Sequence, residues 1–242
     1  MPQPKTFKKK SIWISPSGLN LFRDCPRCFW REKIMGIKRP RGIYPSLPSG
    51  MDRVIKVYFD QYRAKNELPP EFQSDSFKVN KLFADVKQLD LWRDWKTGLR
   101  YVDMDGSTMG GAVDDIMMDG DKYVPFDYKT KGSPTSKEDA QKYYQTQLDS
   151  YGLLMEKNNM PQAGYGFLLY FSPNEVREKG WVSFKLQAIR LEIQPERALK
   201  AFRDAVQVLQ LGEAPQASDN CEYCTWLAQF QVEEVMPIIR DF

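Results

Sequence analysis

Apolar residues at Met51, Val54, Ile55, Tyr58, Phe59 and Tyr62 follow the i, i+3, i+4, i+7, i+8, i+11 spacing of one helical stripe. They predict a helix from about Ser49, with a buried face. Upstream, Ser15-Pro-Ser-Gly followed by Leu19 and Phe22 predicts a short capped helix running into Cys25. Pro40, Gly42, Pro45 and Pro48 mark a loop between the two. Residues 69–98 are polar with scattered aromatics, among them Trp92 and Trp95, and suit a helical insertion. From Ser107 to Thr130 the pattern changes to two strands joined by a turn at Asp119-Gly120. A helix over 137–157, strands over 163–172 and 181–193, and a helix over 195–211 complete the series. This order predicts an α/β fold with a mixed central sheet flanked by helices.

With 242 residues, 42% of them hydrophobic, the chain can fill one substantial core, so a single domain over 13–242 is expected. Residues 1–12 are polar and lysine-rich and are expected to form a basic flexible arm. Thirty-five basic residues against 32 acidic ones leave a mixed surface, which by itself does not point to nucleic acid. No histidine is present, which excludes every scheme built on imidazole, including Ser/His/Asp triads and histidine-ligated zinc. The absence of a long apolar run argues against a membrane span, and a cytoplasmic setting is expected. In that reducing compartment the four cysteines are more readily explained by metal ligation than by disulfides.

The chemistry concentrates on the strand pair. Val124, Phe126 and Tyr128 alternate with Asp127 and Lys129, so a carboxylate and an ammonium project together from one face. On the preceding strand Asp114 shares a row with Ala112, Ile116 and Met118, where an unpaired carboxylate would be costly. Brought together across the turn, Asp114 and Asp127 offer oxygen ligands suited to Mg²⁺ or Mn²⁺, with Lys129 beside them to stabilise charge on a phosphate. A one-residue slip of register would exchange Asp114 for Asp115.

These residues also carry a family pattern. Gly111-Ala-Val-Asp114, Asp127-Tyr-Lys129-Thr130 and Gln147-Leu-Asp-Ser-Tyr151 resemble, in order, the Gly-x-x-Asp, Asp-x-Lys-Thr and Gln-x-x-x-Tyr series of RecB-type PD-(D/E)XK nucleases. The resemblance implies a restriction-endonuclease-like core with Asp114 and Asp127 as metal ligands and Lys129 as the catalytic lysine. Gln147 and Tyr151, one helical turn apart, would face the same site. The family usually adds a histidine or glutamate ligand on an earlier helix. Asp52, in the first turn of the helix near Ser49, is the expected substitute, although the helix dipole explains an acid there equally well.

Cys25-Pro-Arg-Cys28 and Cys221-Glu-Tyr-Cys224 are matched Cys-x2-Cys pairs that use every cysteine of the chain. The segment from Ser17 through Leu19 and Phe22 to Cys25-Pro26 resembles the start of AddB-like and CRISPR-associated RecB-type nucleases. There, one N-terminal cysteine joins three C-terminal ones around a [4Fe–4S] cluster. Here the last of those positions falls near Phe230, and Cys28 would stand in, a two-plus-two split that keeps structural zinc as an alternative.

The expected activity is metal-dependent hydrolysis of DNA, at ends or on single strands, with a helicase, CRISPR or repair protein as a further partner. Phe29, Trp30, Arg31, Lys33, Lys38, Arg39 and Arg41 interleave rings and cations as a single-strand groove would, and suit packing near the metal centre equally. The rival readings are a non-catalytic DNA-binding or scaffold module that keeps the nuclease fold, and a structural zinc protein. The second leaves the acid series unexplained.

Overall fold

The computed structural model describes residues 12–40, 42, 46–74 and 77–233, with side chains as far as 229. All but the last residue of the expected basic arm, and Arg41 of the expected groove, lie outside these. Five strands form the main sheet in the order β2 (Lys81–Leu82), β5 (Asp115–Asp119), β6 (Lys122–Thr130), β7 (Tyr165–Val176) and β8 (Val182–Glu192). Only β6 and β7 run parallel, and α5 (Lys137–Lys157) makes the crossover between them. A small second sheet has the order β1 (Trp13–Ile14), β4 (Thr108–Gly111) and β3 (Leu99–Val102). The mixed α/β architecture expected from the sequence is therefore present.

Each face of the main sheet has its own core. Val124, Phe126 and Tyr128 of β6 join Phe167 and Leu169 of β7 beneath α3 (Ser46–Lys65), whose Phe59 ring lies 5.2 Å from that of Phe126. On the opposite face Ile116, Leu168 and Tyr170 pack with Leu148, Tyr151 and Leu154 of α5, Phe202 of α6 (Pro195–Leu209) and Leu19 of α1 (Pro16–Asp24). The alternation of β6 thus sends its apolar side to one core and Asp127 and Lys129 to the other side of the sheet.

Local signals place the helices. Ser15 caps α1 by accepting from Gly18 N–H at 3.1 Å, and Ser136 caps α5 by accepting from Asp139 N–H at 3.0 Å. Glu138 and Asp139 in the first turn of α5 complement its dipole. Gly111, the glycine of the Gly-x-x-Asp motif, closes β4 against α1. A Cβ there would sit 3.0 Å from the Pro16 ring.

Several expectations need correction. Helix α3 begins at Ser46, not near Ser49, and takes Pro48 into its first turn, where a missing N–H costs nothing. Val54 is 64% exposed, and the buried stripe is Ile55, Phe59 and Arg63. Residues 69–98 are not a helical insertion: they contain the edge strand β2 and the short helix α4 (Val86–Arg93), and β3 follows at once. Ser107–Thr130 is not one hairpin. Its first part is β4, in the other sheet, and only β5 and β6 pair as the hairpin. The turn falls at Gly120-Asp121, since Asp119 pairs with Lys122, and Gly120 takes the positive φ of 63° that a tight hairpin demands.

Candidate active site and four-cysteine centre

Asp127 and Lys129 leave β6 side by side, and the Lys129 ammonium pairs with Asp127 Oδ2. Asp114 sits in the bend just before β5, with 30% of its side chain accessible, and reaches Asp127 across the hairpin. Its placement in a bend differs from the strand row expected for it. Burial and the neighbouring Asp114 charge push the Asp127 carboxyl well above the usual carboxylate range. Burial also works against the Asp114 charge, but hydrogen bonding from Asp127 and the ammonium groups of Lys56 and Lys129 outweigh it and keep Asp114 low. Burial opposes the Lys129 charge too, yet Asp127 and Asp114 hold the ammonium protonated. Two carboxyls pressed together with one buried oxygen, Asp127 Oδ2, lacking an aligned hydrogen bond form a donor set that a divalent cation fits.

Helix α5 supplies the next layer. Gln147 donates to Asp127 Oδ1 at 3.1 Å and to Tyr151 Oη at 2.6 Å, and its Oε1 accepts from Lys129 at 3.4 Å. Tyr151 is buried, and burial with the nearby Asp127 and Asp114 charges keeps its phenol neutral. One turn of α5 thereby braces both the carboxylate and the lysine. Between these two residues Asp149 points the other way, into a bidentate pair with Arg197 of α6 at 2.9 and 3.0 Å. Replacing Gln147 with Ala should slow turnover about tenfold with a smaller effect on metal affinity, because it removes a brace and not a ligand. Gross unfolding in a thermal melt would instead make Gln147 a packing residue.

Asp52 lies on α3 beside the same cleft, a cavity of about 280 Å³ that Lys129, Thr130, Tyr128 and Tyr144 also line. It does not meet Asp114 directly. Lys56 stands between them, 2.9 Å from Asp52 and 3.3 Å from Asp114. Burial lowers the tendency of Lys56 to carry charge, but Asp114 and Asp52 reverse that. A larger cavity of about 540 Å³ opens on the other flank of α5, where Arg23 bonds Thr146 and Arg197 bonds Asp149. Gln145 also donates to Asp149 there, at 2.9 Å.

The sequence reading missed what holds Asp114 in place. Asp115, the register alternative, is fully buried and accepts from Arg63 at 2.6 Å, from Arg93 at 3.0 Å, and from the Tyr128 hydroxyl at 2.5 Å. Arg93 also reaches Asp60, and its Nε donates to the Asp114 carbonyl at 3.0 Å. Asp115 is thus an anchor whose valences are taken, and Asp114 is left to meet Lys56 and Asp127. Arg63 falling eight residues after Ile55, on the buried stripe of α3, is the one signal that pointed to this network.

Between α1 and α7 (Glu222–Glu233) the four cysteines meet. Cys28 Sγ lies 3.6 Å from both Cys221 Sγ and Cys224 Sγ, Cys25 Sγ lies 3.8 Å from Cys224 Sγ, and all four are free thiols. Cys25 caps α2 (Pro26–Trp30) and Cys28 lies within it, while Cys221 precedes α7 and Cys224 lies within that helix. Burial raises the Cys28 and Cys224 thiols. Burial acts the same way on Cys25, but backbone hydrogen bonds from Cys28 and Ser218 bring it down to about 6. Arg27 donates to the Pro215 carbonyl at 2.8 Å, which fastens the two chain segments beside the sulfurs.

The mixed sheet thus carries buried Asp127 and Lys129 beside the half-buried Asp114, braced by a glutamine on the crossover helix. The family model of the PD-(D/E)XK nuclease superfamily matches residues 13–229, and the chain belongs to that superfamily. No curated protein matches the chain. Among the described residues no helix is long and apolar enough to cross a membrane.

Proposed function

We propose that the protein is a Mg²⁺- or Mn²⁺-dependent deoxyribonuclease of the RecB-type branch, in which residues 13–242 act as one domain on DNA ends or single strands. The observation that carries this is the Asp114, Asp127, Lys129 and Gln147 cluster, assembled from a bend, a strand and a helix beside one open cleft. Asp114 and Asp127 would hold the divalent ion. When bound, it supplies charge neutralisation at the phosphate and acidifies water. The Lys129 ammonium, lodged 4.5 Å over the Tyr144 ring, is placed to meet the negative charge that grows on the phosphate oxygens. Gln147 holds Lys129 and Asp127 in register, and neutral Tyr151 in turn accepts from Gln147.

A single strand is favoured by the surface next to the cleft. Tyr143 is 58% exposed, and with Tyr144, Tyr170 and Lys131 it lines a neighbouring hollow of about 290 Å³ that shares Thr130 with the cleft. An exposed ring beside an ammonium group suits a stacked base and its phosphate. The groove expected over residues 29–41 is not such a surface: Phe29 is fully buried and Trp30 nearly so, both within the core.

Purified protein should degrade DNA with Mg²⁺ or Mn²⁺ and stop with EDTA, measured on single-stranded, double-stranded and circular substrates. Circular DNA cut as fast as linear would overturn the preference for ends. The position of Lys56 favours one rival, a non-catalytic DNA-binding scaffold, because an ammonium stands where Asp52 would otherwise join Asp114. DNA binding without cleavage under any divalent ion would establish that rival. A cytoplasmic setting and a helicase, CRISPR or repair partner belong to the same proposal and rest on the family resemblance alone.

A further inference from the structure

The RecB-type resemblance implies a [4Fe–4S] cluster at the cysteines, and the sulfur geometry disagrees with it. In such a cluster each thiolate ligates a different iron, so the four sulfurs stand outside a cuboidal core and far from one another. Around a single ion the requirement is the opposite. A tetrahedron with metal–sulfur bonds of ~2.3 Å has edges of ~3.8 Å. In this chain three of the six sulfur separations are 3.6, 3.6 and 3.8 Å, and all four atoms lie within 4.8 Å of one another. There is no room among them for a core of iron and sulfide. Nor are they bonded to each other, since a disulfide would bring two sulfurs to ~2.05 Å.

We propose that Cys25, Cys28, Cys221 and Cys224 hold one tetrahedral zinc ion and no iron–sulfur cluster. The two halves of the site are alike. Each pair places its first cysteine just ahead of a helix and its second in the first turn. In both halves the first cysteine's carbonyl accepts from the N–H four residues on, Phe29 and Thr225, at 3.1 and 3.0 Å. Two such turns facing one another present four sulfurs to one point. The three most buried cysteines pack with Leu21 and Ala217, which exclude water from that point.

Arg39 completes the charge balance. Four thiolates around a divalent ion leave a surplus of negative charge, and the Arg39 guanidinium lies 3.3 Å from Cys221 Sγ. It stacks 4.7 Å over the Tyr223 ring, a residue of the second Cys-x2-Cys turn, and pairs with Asp24 of α1. Its Nε is buried without a hydrogen-bond acceptor, so the side chain is committed to this spot by the sulfurs and the ring and not by a full set of oxygen partners. The inference depends on no step of DNA cleavage, and a protein without nuclease activity would leave it standing.

The test is elemental analysis of the full chain, produced in medium containing both iron and zinc and purified without oxygen. One zinc per chain, no acid-labile sulfide and a colourless solution are expected. Iron with sulfide, iron alone, or no bound metal would each overturn the proposal. Exchange of the native metal for Co²⁺ should give the intense visible bands of a tetrahedral cobalt thiolate, and their absence would also overturn it. Cys28→Ala should lose the zinc. If that variant fails to fold, the Co²⁺ spectrum of the unaltered chain still decides. Arg39→Ala, which keeps all four ligands, should bind zinc at least tenfold more weakly in a chelator competition, while an unchanged affinity would remove Arg39 from the site.

Discussion

Lys129→Ala should abolish DNA cleavage, with a loss of about 10³-fold or more in turnover, while leaving folding and most DNA binding intact. The expectation rests on position. Lys129 is the ammonium beside Asp127, held by Gln147 and the Tyr144 ring, and it borders the open cleft. Removing a charge aimed at the developing phosphate charge costs on the order of 10²–10³ in rate for a single donor, and more when the site excludes water. Folding should survive because the Asp127 carboxyl, already pushed upward by burial, can take a proton in place of the lost partner. The assay is cleavage of end-labelled single-stranded DNA with Mg²⁺, next to DNA binding by anisotropy in EDTA and a thermal melt. Retained wild-type turnover would sink the catalytic assignment.

Arg63→Ala should destabilise the fold by about 3–5 kcal/mol, the cost of breaking a buried ion pair by removing one partner. Arg63 and Asp115 have 1% and 0% of their side chains exposed and lie 2.6 Å apart. Truncation leaves Asp115 to Arg93, Tyr128 and the Ile116 N–H, and it also frees the Phe83 carbonyl that Arg63 caps at 2.5 Å. With a domain stability of ~5–15 kcal/mol, such a loss is a large share of the total. Urea unfolding measures it, and a change below about 1 kcal/mol would mean that water replaces the guanidinium. Because Arg93 ties Asp115 to the backbone at Asp114, the folded fraction of Arg63→Ala should also cleave more slowly.

The residues most legible in the sequence were those whose signal is local. Asp127 and Lys129 could be placed on one face from the alternation of β6 alone, and α5 was expected over 137–157, where the Ser136 cap and the acidic first turn support it locally. The cysteine pairs were legible as a shared cluster because their spacing is itself the signal. Other elements were hidden because their stability comes from distant partners. Strand β1 spans two residues and exists only by pairing with β4, and β2 likewise only by pairing with β5. No periodicity can show in two residues. Lys56 and Arg63 were passed over on α3 because a charge on a helix is usually solvated. What buries them is Asp114 and Asp115, some 50 residues further along the chain.

The meeting of Cys28 with Cys221, 193 residues apart, also has a consequence in time. A ribosome adding about 5–20 residues per second makes the first pair some 10–40 seconds before the second exists. Through that interval the nascent chain carries a lone dithiol on its leading helices, while the hairpin, the crossover helix and both cores are still being delivered behind it. The sulfur cluster is therefore among the last long-range contacts to become possible during synthesis. A translation product that stops short of residue 221 keeps nearly all of the nuclease elements, yet leaves its leading dithiol without a mate.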